Sequence, residues 1–211
     1  MKETILQAFN WRYATKIFDT NKKVSQDDID TIIESARMAP TAYGLQPFQI
    51  IKVQDEALRL SLRTEASFGQ AQVTDASDFF VIAARTDVDE SYITDYISRI
   101  AKTRDMDTTD LEGFKQTMIG DICGRTPEMR LSWASKQAYI ALGSMIETAA
   151  LVGVDACPME GFVPTKVDEI LGLSAHNLTS LAYLAVGYRG EDYMAQAKKV
   201  RFSKEQILLI K

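Results

Sequence analysis

The chain has almost none of the residues that usually carry acid–base or metal chemistry. Its one histidine is His176, in the polar, turn-like stretch "LSAHNLTS", and a single imidazole builds neither a His-based triad nor the usual metal cluster. Cys123 and Cys157 are too few for a disulfide framework or a four-thiolate zinc site. The eleven glycines form neither G-x-G-x-x-G nor G-x-x-x-x-G-K, so the two common phosphate loops are missing, and no G-x-S-x-G nucleophile elbow is present. No run of about 18 apolar residues is available to span a membrane. The opening "MKETILQAFNWRYATK" is broken by charges and has no apolar signal core, which sets a cytoplasmic location as the expectation. A net charge of −5 argues against nucleic acid as a partner.

What is there is an ordinary globular composition. The 211 residues are 46% hydrophobic and 25% charged, enough for one domain with a buried core. Residues 2–10 read as a short helix. Ser25 to Asp28 resembles a capping box ahead of Ile29, Ile32, Ile33 and Ala36, a helical spacing that Pro40 ends. "FQIIKV" (48–53) and "DFFVIAAR" (78–85) read as strands, with helical stretches at 55–64 and 67–75 between them. The pattern is helical again over 91–152, with a break near "CGRTPE" (123–128). The helix after that break, "SWASKQAYIALGSMIETAALVG", is apolar widely around its surface, as at a domain centre or a subunit interface. A short strand (154–157), the loop "PMEGF", a helix from about 165 and a strand at 178–188 follow. "KEQILLIK" (204–211) reads as a last strand, which pairs either within its own sheet or with a partner's. The spacing predicts a mixed α/β domain, helices covering a central sheet.

With no phosphate loop, side-chain cations must hold any bound phosphate. Two clusters qualify. In "RYATK", an extended backbone puts Arg12, Ala14 and Lys16 on one side, and in "KKVR" Lys199 and Arg201 share a face. Arg offers a planar fork that suits phosphate and Lys a mobile point charge, although such clusters also serve as plain solvated surface. Trp133 and Gln137 stand one turn apart on the long helix, and a buried Gln there needs a partner. Glu160 follows a predicted strand end, where α/β folds often bind ligands.

In order along the chain, "RYATKIFD", "ARMAPTAYGLQPFQIIKV", "QVTDAS", "WASKQAYIALG", "GVDACPMEGF" and "KKVRF" resemble the flavin-dependent nitroreductase family, in particular the bacterial oxygen-insensitive NAD(P)H nitroreductases. The resemblance implies an α+β nitroreductase-like fold over 1–211, with a central, mostly antiparallel sheet flanked by helices and a variable helical excursion at about 91–130. It implies a homodimer with active sites at the interface and a C-terminal strand exchanged with the partner subunit. It implies FMN as cofactor, NADH or NADPH as donor and a small-molecule acceptor such as a nitroaromatic or quinone, reduced in ping-pong fashion.

Position by position, the resemblance assigns Arg12, Tyr13, Ala14 and Lys16 to the grip on FMN, and Lys199 and Arg201 to its phosphate. Pro40, Thr41, Ala42 and Gly44 match the stretch contacting the partner's flavin, and Gln46 and Pro47 end that motif. Pro158, Met159, Glu160 and Gly161 match the loop over one flavin face, where the Glu160 or Gly161 backbone N–H resembles the donor to flavin N5. Gln137 matches a polar residue near the cofactor. No side chain is assigned as catalytic, since the flavin carries the chemistry. Ala14 stands where relatives often carry Ser, Ala42 lacks a hydroxyl or amide, and Gly69 stands where Asn is common. Gln72 stands where some relatives have Lys, so a lower flavin potential is expected. Phe114, Met118 and Ile119 are candidate pocket-lining residues. The alternatives are a specialised enone, quinone or flavin reductase on the same fold, an FMN storage or delivery protein without NAD(P)H turnover, and a flavin-free structural dimer.

Overall fold

The computed structural model describes all of Met1–Lys211. Its centre is a four-stranded sheet of β1 (Phe48–Lys52), β2 (Asp78–Arg85), β3 (Asp155–Met159) and β4 (Leu178–Gly187), in the order β1-β2-β4-β3 with every pairing antiparallel. The two inner strands are largely apolar, and β2 is buried from Phe79 to Ala84. Alternation along them separates two cores. Phe80, Ile82, Leu184 and Val186 face α2 (Gln26–Arg37) and α7 (Pro127–Leu151), whereas Phe79, Val81, Tyr183 and Ala185 face Leu62 just after α3 (Glu56–Ser61), Val73, and Val167 on α8 (Pro164–Leu171). Full burial of such side chains contributes about 2 kcal/mol each. This three-layer α+β arrangement matches the expected fold class.

The helices start where the sequence supplies caps. Ser25 accepts from the Asp28 N–H at 3.1 Å to open α2. Thr126 accepts from the Met129 N–H at 3.3 Å, and Pro127 occupies the first turn of α7. Ala134, Ala138, Ala141 and Ala149 form a buried stripe along α7 that lets a helix of 25 residues lie close against the sheet.

Three expectations change. The helix expected over 67–75 shrinks to α4 (Gln72–Asp75), because Phe68 and Gly69 take left-handed backbone at φ 53° and 77°. The long helical region is divided: α5 (Glu90–Arg104) stops at Asp105, in left-handed backbone, and α6 (Glu112–Ile122) begins after a tight turn. The C-terminal segment is not a strand of its own sheet. It forms a helical turn, α9 (Lys204–Ile207), and then an exposed tail. The isoleucines of "QILLIK" favour strand, but propensity without a neighbouring strand does not make one.

Candidate functional site

The helix α1 (Lys2–Trp11) ends at Arg12, whose backbone is extended at φ −69°, ψ 144°. From there the chain runs parallel to β3: Ala14 bridges Ala156, and the Thr15 N–H reaches the Ala156 carbonyl at 3.4 Å. Thr15 points inward and is fully buried, while Lys16 is exposed and Arg12 and Ala14 are half-buried. The extended run expected from Arg12 holds as far as Thr15 and then bends at Lys16 and Ile17. It leads from Arg12 towards the Pro158 end of β3.

The distant basic cluster closes on this face. The Lys199 ammonium donates to the backbone carbonyl of Arg12. Arg12, Lys199 and Arg201 line one recess of about 400 Å³ with Asn10, Gly143 and Glu147. Burial lowers the Arg12 pKa, and repulsion from Arg201 adds to it. Lys199 is lowered too, first by burial and then by Arg12 and Arg201. The Arg12 Nε is buried with no acceptor in the chain. A crowded set of cations with an orphaned, buried donor fits a bound anion of high charge, and phosphate supplies the matching acceptors.

Asp192 shapes this segment, and nothing in its local sequence marks it. Its Oδ2 accepts from the Lys16 N–H at 2.5 Å, the Ile17 N–H at 3.2 Å and the Tyr13 hydroxyl at 3.0 Å, while Oδ1 accepts from the Met194 N–H at 2.9 Å. Burial works to raise the Asp192 carboxyl, but these donors outweigh it and hold the pKa low. Burial first, and then the bond to Asp192, push Tyr13 up to about 12. Arg189 lies 4.3 Å from the Trp11 ring centroid and 4.7 Å from that of Tyr13, and its Nε bonds the buried Asp155 at 2.8 Å. Asp192 and Arg189 come from more than 170 residues away, so only the fold reveals them.

The loop "PTAYGLQPF" is held from four helices. The Ala42 N–H donates to Gln137 Oε1 at 2.8 Å, and Gln137 Nε2 donates to the Trp133 carbonyl at 3.2 Å. The amide of Gln137 thus fastens the loop to α7. Gln46 Nε2 donates to the Arg37 carbonyl at 2.7 Å, closing the end of α2, and the Gln46 N–H reaches Thr41 Oγ1 at 3.2 Å. Tyr43, Gly44 and Gln46 all have positive φ, and hydroxyls tie them down. Tyr96 donates to the Tyr43 carbonyl at 2.8 Å, Tyr92 donates to that of Gln46 at 3.1 Å, and the Tyr43 hydroxyl itself donates to Asp121 at 2.9 Å. Pro40 is exposed and Pro47 buried. No residue of 40–44 lines the cation recess.

At the other end of the Arg12–Lys16 run, Pro158 is half-buried, Met159 buried, and Glu160 and Gly161 exposed. The N–H groups of Glu160 and Gly161 have no acceptor in the chain. Beside them lies the 66–72 segment, with Gly69 at its bend and Gln72 buried at the start of α4. Arg59 is buried and closes α4 by donating to the carbonyls of Val73 and Ala76 at 2.7 Å each. Of the other pocket candidates, Met118 is fully buried in the core, Ile119 is half-buried, and Phe114 packs edge-on against Tyr43. No group of His, Cys, Asp or Glu is placed to hold a metal ion, and no helix is long and apolar enough to cross a membrane.

A family model described as "Nitroreductase family" matches residues 10–188. The chain belongs to the nitroreductase family. Among relatives, SH0546 of Staphylococcus haemolyticus, named as a candidate NAD(P)H nitroreductase, is 38% identical over 215 residues, covering 99% of this chain and 97% of that protein. Among solved structures, the candidate nitroreductase ydfN of Bacillus subtilis superposes with a TM-score of 0.89 at 18% identity, over 100% of both chains. A candidate nitroreductase of Exiguobacterium sibiricum, solved in complex with FMN, gives a TM-score of 0.83 at 18% identity, covering 98% of this chain and 97% of that one. These superpositions establish a nitroreductase fold for the chain; its recess and its loops are its own evidence.

Proposed function

We propose that this chain is an FMN-dependent NAD(P)H oxidoreductase that reduces nitroaromatics, quinones or similar acceptors by two electrons. The observation that carries the proposal is the convergence of Arg12, Lys199 and Arg201 on one recess, with the Arg12 Nε buried and unpaired. The chemistry that bound FMN supplies is uptake of a hydride from NADH or NADPH and delivery of two electrons to an acceptor that takes the nicotinamide's place.

The chain's own residues provide position and electrostatics. Arg12, Lys199 and Arg201 hold the phosphate. Tyr13, Ala14 and Lys16 carry the grip along β3, with Lys16 offering a cation at the ring end. Gly69 and Gln72 border that end, and the Glu160 and Gly161 N–H groups are donors to the ring. Pro40, Thr41, Ala42 and Gly44 belong to the partner's site, with Gln137 fastening their loop. No histidine is needed as a base, in keeping with an exposed His176.

A homodimer is part of the proposal. Leu6 and Phe9 on α1 and Ile140 on α7 are exposed apolar residues, and so are Ile207, Leu208, Leu209 and Ile210 in the tail. β1 is an edge strand whose outer side is unpaired, and a partner's tail is a fitting strand for it. Residues 1–211 then act as one FMN-binding domain, with the 91–130 excursion shaping access to the ring.

The test is anaerobic stopped-flow mixing of the flavin-loaded protein with NADH and with NADPH, followed by a panel of nitroaromatic, quinone and enone acceptors. Bleaching of the flavin absorbance and its return on acceptor addition are expected. Loading without bleaching by either nicotinamide makes the protein an FMN carrier, and failure to take up FMN leaves a structural dimer.

A further inference from the structure

Two side chains outside the expected FMN grip hold the peptide at Glu160 and Gly161. Gln70 Nε2 donates to the Gly161 carbonyl at 2.5 Å. The two segments touch again where the Val163 N–H reaches the Ala66 carbonyl at 2.9 Å. Gln70 is itself braced, because its N–H donates to the carbonyl of the fully buried Ser67 at 3.1 Å, and Ser67 bonds the Tyr183 hydroxyl at 3.2 Å. Phe162 stacks on Tyr183 with centroids 4.1 Å apart, so the far side of the loop is packed as well.

From α7, the Tyr139 hydroxyl donates to Glu160 Oε1 at 2.8 Å. It also lies 3.4 Å from the Leu181 carbonyl. Leu181 is the residue skipped where the β2–β4 register shifts, and such a bulge turns a backbone group away from its ladder. Tyr139 is thereby seated between a strand irregularity and the loop.

We infer that Gln70 and Tyr139 are positioning residues that fix the Glu160–Gly161 segment so that the acceptor-less N–H groups of both residues are pre-aimed at the cofactor ring. The inference rests on the FMN reading above. The bonds run to the carbonyl of Gly161 and to the side chain of Glu160, so the backbone donors between them stay free. A donor already held in place meets charge developing on its ligand without reorganisation, which makes its placement matter more for the rate than for binding.

The experiment compares wild type with Gln70→Ala, Gln70→Glu and Tyr139→Phe. Gln70→Glu keeps the length but presents an acceptor to a carbonyl. Hydrogen exchange in the FMN-free chain is read at Phe162 and Val163, whose N–H groups bond Glu160 and Ala66. In the loaded chain, FMN Kd, flavin midpoint potential and the anaerobic reduction rate at saturating NADH or NADPH are read. Each variant is expected to speed exchange at both amides and to shift the potential, and to slow reduction about fivefold, the equivalent of one hydrogen bond, with FMN Kd within about twofold. Wild-type exchange, potential and rate in all three variants overturn the inference while leaving the FMN reading intact. A wild-type chain that takes up no FMN overturns that reading instead. A variant that does not fold is set aside in favour of Tyr139→Phe, which removes a single oxygen.

Discussion

The Lys199 ammonium donates to the main-chain carbonyl of Arg12, joining positions 187 residues apart in one recess lined by cations. Because the cations there repel one another, inorganic phosphate is expected to raise the melting temperature of the FMN-free protein. Arg12→Ala and Arg201→Ala each remove a charge-assisted bond of about 1.5–3 kcal/mol and weaken FMN binding by roughly tenfold to a hundredfold. Titration of FMN by fluorescence quenching measures it, and unchanged Kd values would remove phosphate from the recess.

The same crowding sets a pH dependence. Burial and the neighbouring guanidinium groups lower Lys199, so the unfolded chain binds its proton more tightly than the folded one. Stability of the FMN-free protein is therefore expected to rise with pH as Lys199 titrates, up to its unfolded value near 10.4. Saturating phosphate flattens that slope. Denaturant melts at stepped pH, with and without phosphate, measure the difference.

Three of the eight tyrosines, Tyr13, Tyr139 and Tyr183, are pushed up to about 12. A raised folded pKa means the stabilisation is complete below about 10 and is lost as the pH climbs from there through 12. Absorbance at the tyrosinate band is expected to show a late phase that coincides with alkaline unfolding. Tyr13→Phe deletes one late proton; a single early phase for all eight would contradict the burial of Tyr183 and the carboxylate bonds of Tyr13 and Tyr139.

Gly44 has φ 73°, and a Cβ on it would lie 2.4 Å from the Tyr96 hydroxyl. Gly44→Ala is expected to destabilise by about 2–3 kcal/mol. In a Tyr96→Phe background the incremental cost falls, because the oxygen in the way is gone, and the backbone strain remains. Urea melts of the four proteins complete the cycle.

Removing residues 204–211 takes away exposed Ile207, Leu208, Leu209 and Ile210 and leaves Arg12 and Lys199 in place. If the tail is exchanged between subunits, sedimentation should show the truncated chain dissociating at concentrations where the full chain is a dimer. Identical behaviour of both would rule out exchange. Separately, Gln72→Lys adds a cation beside the expected ring position, and the flavin midpoint potential should rise.

The legible parts of this molecule are those written in short range. Ser25 announces α2 through its cap, and the apolar runs at 48–53, 78–85 and 178–188 announce the strands. The basic cluster at Arg12 to Lys16 is visible in the sequence, but period two alone does not separate it from solvated surface. The 67–71 segment misleads because its residues tolerate helix, and only Gly69 signals the left-handed bend that Phe68 shares. Asp192 escaped because its role is to bond backbone at Lys16 and Ile17, about 175 positions earlier, and Gln70 because its acceptor is a carbonyl 91 residues on. The partner of Gln46 leaves no mark either, because it is a helix end that any sequence offers. Long-range polar contacts to backbone leave no pattern to read.

The cation recess draws Arg12 from the first turns of the chain and Lys199 and Arg201 from its last stretch. On the ribosome, a nascent polypeptide that has emerged only as far as residue 190 owns one of those three charges. The recess cannot form until residue 201 has been added, after every strand of the sheet has already been made.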